Sequence, residues 1–522
     1  MVARHASARF LLCLALVAVL ILAIAWLMEH PAAQDPKKVV AANPPEFLMG
    51  EVRDLHGPVS GAVVRIKGNS TESVLTDAVG RFRLAKPSNT AARITASKEG
   101  YMIGGIEWDS SPLTIHLSSL PTTDCESYRW VDPEPDPAQK QQCGTCHAEI
   151  HEEWAASAHA GSVTNRHFAN VYDGSDWRGR PGVGWNLLAE YPDGAGVCTA
   201  CHAPTVAFDD PAYYDLRLAR GTPARGIHCD YCHKVSEVAN GQVGLTHGRF
   251  GLKLLRPAQG QLFFGPLDDV DRCEDAFSSI YRESRYCASC HEGTVFGVHV
   301  YSTYSEWLES PARQQGKQCQ SCHMAPTGKL ANIAPGKGGV DRAPGTLASH
   351  RLFAGNQLEM LRRCLKMEVQ ATTEKNELNV EVTLLVEGAG HRVPTGFSDR
   401  NLLLIVEAMQ KDGSAIAPAA GSPRLPAVAG KALHGLAGRV YAKQLSDFGS
   451  RTPVPFWRAR PDVLDTRLFP GRIERTSFAF SGQAQRVRVR LLYRRFWQEV
   501  AKSKGWPDNE LVIIDRSVDV GL

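Results

Sequence analysis

The sequence predicts a multidomain chain: an N-terminal transmembrane helix, a small β-sandwich, a central domain that is mainly α-helix and loop, and a C-terminal β-sandwich. Three observations lead there. An apolar run fills Phe10 to Met28, short runs of alternating polarity occupy residues 46–120 and 366–522, and between them ten cysteines recur in Cys-x-x-Cys-His motifs. At 522 residues the chain exceeds one ordinary domain, since a domain takes roughly 150 residues.

The apolar run is long enough to cross a bilayer. Arg4 and Arg9 precede it and Glu29 follows, so the positive-inside rule keeps the N-terminus in the cytoplasm and sends the remaining chain outside. Residues 1–29 read as an uncleaved signal anchor, because Glu29-His30-Pro31-Ala32-Ala33-Gln34 makes a poor cleavage site. A removed signal peptide is the alternative, and either one exports the chain. The expected location is a bacterial cytoplasmic (inner) membrane, with a single pass and the bulk of the chain in the periplasm. Residues 30–45, rich in proline, alanine and lysine, form a spacer. With 58 basic and 55 acidic residues the net charge is only +3, which gives no basic excess of the kind nucleic acid requires.

Export would normally turn fourteen cysteines into a disulfide question. Their spacing answers differently. The motifs are Cys143-Cys146-His147, Cys198-Cys201-His202, Cys229-Cys232-His233, Cys287-Cys290-His291 and Cys319-Cys322-His323. Two thiols at this spacing reach the two vinyl groups of one porphyrin, and the adjacent imidazole swings under the iron as proximal ligand. Zinc would not need a histidine after every second cysteine, nor would thiol exchange need five copies. Five covalently attached haem c groups are the expectation, in a domain spanning 121–365. Cys125, Cys273 and Cys364 stay outside the motifs, with a disulfide between two of them left open, and Cys13 falls in the anchor.

Each iron also has a sixth position, which decides between electron carriage and open-site chemistry. Five histidines are the candidate distal ligands: His159, after an amphipathic helix; His247; His299, in an aromatic segment; His350, after a Gly/Pro-rich loop; and His391, in the turn Gly388-Ala-Gly-His-Arg-Val-Pro-Thr-Gly396. A histidine in such a turn has a constrained backbone and can be aimed at a neighbour. His151, His167, His228 and His434 read as ordinary surface or hydrogen-bonded residues, and Met324 could serve only a haem other than its own.

The flanking domains follow from period-2 patterns. Residues 46–120 carry runs such as Gly80-Arg81-Phe82-Arg83-Leu84, and 366–522 carry Leu378 to Leu384 and Arg486 to Leu491. The order Gly50-x-Val52, Gly61-Ala62-x-Val64, Thr76-Asp77-x-x-Gly80-x-Phe82 and Gly100-Tyr101 resembles the carboxypeptidase regulatory-like domain. That resemblance implies a spacer or docking module without catalytic residues. The C-terminal domain is expected to pack on the haem domain, because His391 lies in its first turn.

The central region resembles a second family. Glu153-Trp154-Ala-Ala-Ser157-Ala-His159, Cys229-Asp-Tyr-Cys-His-Lys234, Tyr304-Ser-Glu-Trp307-Leu-Glu-Ser310 and Cys319-Gln-Ser-Cys-His-Met324 are similar to the multihaem family of the tetrahaem cytochrome that accepts electrons from hydroxylamine oxidoreductase. Residues 140–360 carry the likeness. It implies covalent haem c, mostly bis-histidine ligation, stacked haem pairs and periplasmic electron transfer. A fifth motif, the anchor and two β domains depart from that pattern, so donor and acceptor do not carry over.

The leading expectation is a membrane-anchored electron relay served by redox partner proteins or a quinol-linked membrane donor. The alternative is a reductase of nitrite, hydroxylamine or a similar compound at one five-coordinate haem, with Phe263-Phe264-Gly-Pro-Leu-Asp268-Asp269 as a segment that could line it. A binding role led by the N-terminal sandwich is a third reading.

Overall fold

In the computed structural model the described residues are 47–520, apart from 87–91, 110–111, 140, 194–195, 207–213, 240–246 and 353–356. The expected anchor and nearly all of its spacer lie outside them. Among the described residues no helix is long and apolar enough to cross a membrane.

Residues 47–119 form two facing four-stranded sheets. One joins Phe47–Asp54 to Gly57–Pro58, Arg81–Ala85 and, in parallel, Leu113–His116. The other runs in the order Val74–Leu75, Val63–Ile66, Arg93–Ser97, Gly104–Glu107. Alternation sets the faces: Phe82 and Leu84 point inward between exposed Arg81 and Arg83, as a strand requires. They meet Leu48, Val52, Val64, Ile94 and Ile115 in one core. Gly50 is needed where the sheet closes, because a Cβ there would come within 2.5 Å of the Leu113 carbonyl oxygen and 2.6 Å of the Phe82 ring.

This sandwich is welded to the central domain. Met102 pairs with Ala276, so the strands Tyr101–Met102, Ser118–Ser119, Phe263–Gly265 and Asp275–Phe277 make one sheet across the boundary. Beside it Arg65 pairs with Asp268 at 2.7 Å, Lys67 with Asp271 at 2.8 Å, and Arg93 also with Asp271. Asp269 accepts the Gly68 backbone N–H at 2.8 Å and a two-pronged contact from Arg342 at 2.6 and 2.9 Å. The expectation that Asp268 and Asp269 could line an open haem is therefore corrected. Both carboxylates are consumed in docking.

The central domain is built of short helices joined by loops, and each motif occupies one: Cys143–Cys146, Gly196–His202, Cys229–Cys232, Arg285–His291 and Cys319–His323. One helical turn places thiols three residues apart on the same face. Apolar clusters wholly inside this domain are small, for example Val235, Val238 and Ile280, or Leu262, Phe264 and Ala276.

The C-terminal domain begins with helix Gln357–Cys364 and the hairpin Leu365–Glu374/Glu377–Val386. Its two-residue turn uses Lys375 and Asn376, both at positive φ, the geometry a tight hairpin demands. With Ile473–Ser481 this hairpin makes a three-stranded sheet. It packs on a six-stranded sheet centred on Asn401–Met409, between Ala437–Gln444 and Arg486–Arg494. Leu378, Val380, Leu402, Leu404, Phe478 and Val489 lie in the core between them.

The domain docks on the central one, as expected. Phe496, Trp497, Val500 and Trp506 join Val171, Tyr172, Leu187, Val298 and Val300 in a shared cluster. Inside that contact the ammonium of Lys504, fully buried, donates to the carbonyls of Asn170 at 2.7 Å, Trp185 at 2.7 Å and Ser175 at 3.1 Å, and to that of Val183.

Removing one partner of a buried, hydrogen-bonded ion pair leaves an uncompensated charge and costs about 3–5 kcal/mol. Asp269→Ala strands the buried Arg342 guanidinium. We expect a loss of about 3 kcal/mol in chemical denaturation of the haem-loaded protein. Loss within a few tenths of wild type would refute the docking role.

Candidate haem-binding site

The motif helices fix the proximal imidazoles by one recurrent contact. Nδ1–H of His147 donates to the Ile333 carbonyl at 2.7 Å, that of His202 to Ser162 at 2.8 Å, and that of His233 to Phe264 at 2.6 Å. A carbonyl at Nδ1 fixes the tautomer and turns the basic Nε2 outward, as an iron ligand requires.

The two remaining proximal histidines each face a second imidazole. His159 and His291 have ring centroids 6.3 Å apart with planes at 47°, and His323 and His391 are 6.2 Å apart at 42°. Two imidazoles on one metal, with bonds of about 2.0 Å and ring centres about 1.1 Å behind each nitrogen, have centroids about 6.2 Å apart. The spacing fits a haem iron between each pair. Burial pushes His159 down to about 4 and His323 to about 3. His291 is lowered for the same reason.

His350 is the third distal candidate in a matching position. Burial first, then the neighbouring His233 and, more weakly, His147, push it down to about 4. Its Nδ1 is buried with no hydrogen-bond partner. A buried ring nitrogen without a hydrogen-bond partner, beside a motif histidine, fits a residue that would hold a metal.

The other two candidates are placed differently. His299 lies on the strand Val298–Ser302, where Val298 and Val300 point inward. Period 2 therefore turns His299 outward, and its Nε2 meets the Glu292 carboxylate at 2.6 Å with the side chain 47% exposed. His247 donates from Nε2 to the Thr294 carbonyl at 2.7 Å and lies flat over Gly293, whose missing Cβ would collide with it. Among the described residues both rings are engaged by groups other than a motif histidine. His228 uses both nitrogens, one capping its motif helix at the Tyr231 N–H and the other on Thr205. His151 and His167 sit by Glu134 and Asp508.

The motif thiols approach one another in a chain. Cys143 hydrogen-bonds Cys229, Cys201 bonds Cys290, and Cys287 bonds Cys319. Cys232 also lies close enough to Cys290 to be raised by it, after burial as the main cause. First and third, third and fourth, second and fourth, and fourth and fifth motifs are thus neighbours. Burial pushes the Cys198 thiol up to about 12, while hydrogen bonds from Cys287 and Ser284 help bring Cys319 down to about 7. Cys125, Cys273 and Cys364 are free, so no disulfide joins them.

Two carboxylates to which sequence reading gave no role border the distal turns. Glu153 accepts the His350 backbone N–H at 2.7 Å, and Glu306 accepts the Arg392 N–H at 3.2 Å. Their signal was the repeated Glu-Trp-x-x-Ser, present at Glu153–Ser157 and Glu306–Ser310 in the central domain and once more at Glu107–Ser111.

Residues 132–234 match the family described as cytochrome c7 and related cytochrome c. Among solved structures, the fold is similar to a penta-haem cytochrome c552 from Thermochromatium tepidum, with a TM-score of 0.53 and 20% identity, over 72% of this chain and 97% of that one. No curated protein matches this chain.

Exchanging Cys287 and Cys290 together for alanine removes both attachment points of one motif. The mass of the denatured chain is expected to fall by one haem, with the other four retained. An unchanged mass would mean that this motif carries none.

Proposed function

We propose that this protein is a membrane-tethered periplasmic electron relay carrying five covalently attached haems. The observation that carries the reading is the contiguity of the five motifs through their cysteines. Attached porphyrins whose thioether edges adjoin have edge-to-edge gaps short enough for rapid tunnelling. The ten motif cysteines would hold the haems and His147, His202, His233, His291 and His323 would be proximal ligands. His159, His391 and His350 would be distal ligands opposite His291, His323 and His233. When bound, the haems supply one-electron redox chemistry. The protein's own residues turn Nε2 of His147, His202 and His233 outward through carbonyls at Nδ1.

The anchor and the export reading place the relay on the outer side of the inner membrane. A tether raises the effective concentration of partners held at the same surface, which suits a quinol-linked donor or redox partner proteins. The N-terminal sandwich, in its resemblance to regulatory-like modules, serves as a docking base. The penta-haem count of the similar structure from Thermochromatium tepidum supports five haems here.

One observation favours a second reading, a reductase of nitrite or hydroxylamine. His202 is stacked on Phe168, with centroids 4.0 Å apart and planes at 18°. Burial and the Ser162 carbonyl alone set its acidity; among the described residues no second histidine bears on it.

Low-temperature electron paramagnetic resonance of the oxidised, haem-loaded protein separates the two. The relay reading expects low-spin haems and no turnover of nitrite or hydroxylamine. A high-spin haem that binds and reduces either compound would replace it with the reductase. Membrane fractionation of the full chain tests the tether: we expect it in the carbonate-washed membrane pellet, and recovery in the soluble periplasmic fraction would refute it.

A further inference from the structure

Of the three Glu-Trp-x-x-Ser segments in the sequence, Glu107–Ser111 starts at the end of the strand Gly104–Glu107, whereas Glu153–Ser157 and Glu306–Ser310 occupy equivalent places in the central domain. The first pair lies on the helix Ala148–Ala155, after the first motif, and the second on the helix Thr303–Leu308, after the fourth. Each tryptophan is buried and donates its indole N–H to a backbone carbonyl two residues ahead of a later motif. Trp154 reaches the Ile227 carbonyl at 2.8 Å, just before Cys229, and Trp307 reaches the Lys317 carbonyl at 2.8 Å, just before Cys319.

Each glutamate grips the turn that carries the opposing histidine. Glu153 Oε2 accepts the His350 backbone N–H at 2.7 Å and the Ser349 hydroxyl at 3.0 Å. Glu306 Oε2 accepts the Arg392 N–H at 3.2 Å and the Thr395 hydroxyl at 2.8 Å, while its Oε1 accepts from Ser302 and Arg467, both at 2.6 Å. The partners match within each unit. Trp154 holds the motif of His233 and Glu153 the turn of His350, its neighbour; Trp307 holds the motif of His323 and Glu306 the turn of His391, 6.2 Å across from it.

We propose that this repeated Glu-Trp pair is a clamp that sets the distance between the proximal and distal histidines of one haem. Glu153 and Trp154 serve the haem of the third motif, and Glu306 and Trp307 that of the fifth. All four are positioning residues, the glutamates acting through the turns of His350 and His391 and the tryptophans through the motifs of His233 and His323. A loop histidine has no secondary structure to fix its height above the iron. A carboxylate accepting two donors from the same turn fixes it, because charge-assisted hydrogen bonds are about twice as strong as neutral ones. A tryptophan donor one residue away ties the opposite wall to the same helix, so that both walls share one rigid element. At the fifth motif the clamp also reaches Arg467 of the C-terminal sandwich, so seating of that domain and placement of His391 are one event.

The proposal rests on the reading of His350 and His391 as sixth ligands. Its test uses the full-length, haem-loaded protein with two readouts: paramagnetic resonance of the oxidised form, and carbon monoxide binding by the reduced form. His391→Gly and His350→Gly calibrate the loss of each ligand. Glu306→Ala is expected to reproduce His391→Gly, with one haem in five turning high-spin and one added equivalent of carbon monoxide bound. Glu153→Ala is expected to reproduce His350→Gly, and the double variant to open two haems. Added imidazole should restore the low-spin signals, which a general loss of packing would not allow.

Wild-type spectra from both glutamate variants, with the glycine variants open, overturn the clamp while leaving the ligand reading intact. Wild-type spectra from the glycine variants overturn the ligand reading and the clamp with it. Should the alanine variants not accumulate, Thr395→Val and Trp307→Phe each remove one donor with little change of shape. They are expected to open a fraction of the same haem, and wild-type behaviour in both overturns the proposal.

Discussion

The central domain depends on imidazoles set opposite one another with room for a metal between. His159 faces His291 and His323 faces His391 across nearly equal gaps. Such an arrangement requires each ring to be held in place by its surroundings. It is sustained by what surrounds it: carbonyls at Nδ1 of His147, His202 and His233, thiols drawn together between motifs, and short helices that hold both. The domain's own apolar clusters are few and small. Haems would supply the missing apolar surface, and the two sandwiches supply rigid walls.

Those walls are joined to the centre by charge as much as by apolar contact. Asp269 and Asp271 at one end, and Glu306, Arg467, Lys443 and Lys504 at the other, are almost fully enclosed. Buried pairs add little net stability over well-packed apolar groups, but a mismatch is severely penalised. They therefore specify one docking geometry. This suits a structure in which a small error of placement would lengthen an iron–nitrogen bond.

The sequence reading succeeded where the physics is local and faltered where it is not. Strand patterns such as Arg81 to Leu84 and Leu378 to Leu384 turned inward and outward as alternation demands. The outward place of His299 on Val298–Ser302 could be seen only once that strand was known. His247 looked available, yet it is held by a carbonyl and a glycine far along the chain. Asp268 and Asp269 read as possible pocket walls because their partners, Arg65 and Arg342, lie in distant segments. Glu153 and Glu306 gave a visible repeat, but its meaning required the turns of His350 and His391.

What the sequence by itself determined is the attachment chemistry. Two thiols and an imidazole within five residues need only one helical turn to converge, and that geometry is the same wherever the motif occurs. The tertiary structure alone decided which histidine faces which motif, and which motifs adjoin. Those pairings join residues from separate loops and a separate domain, so they depend on how the sandwiches dock and where buried carboxylates find their donors, which no local pattern encodes.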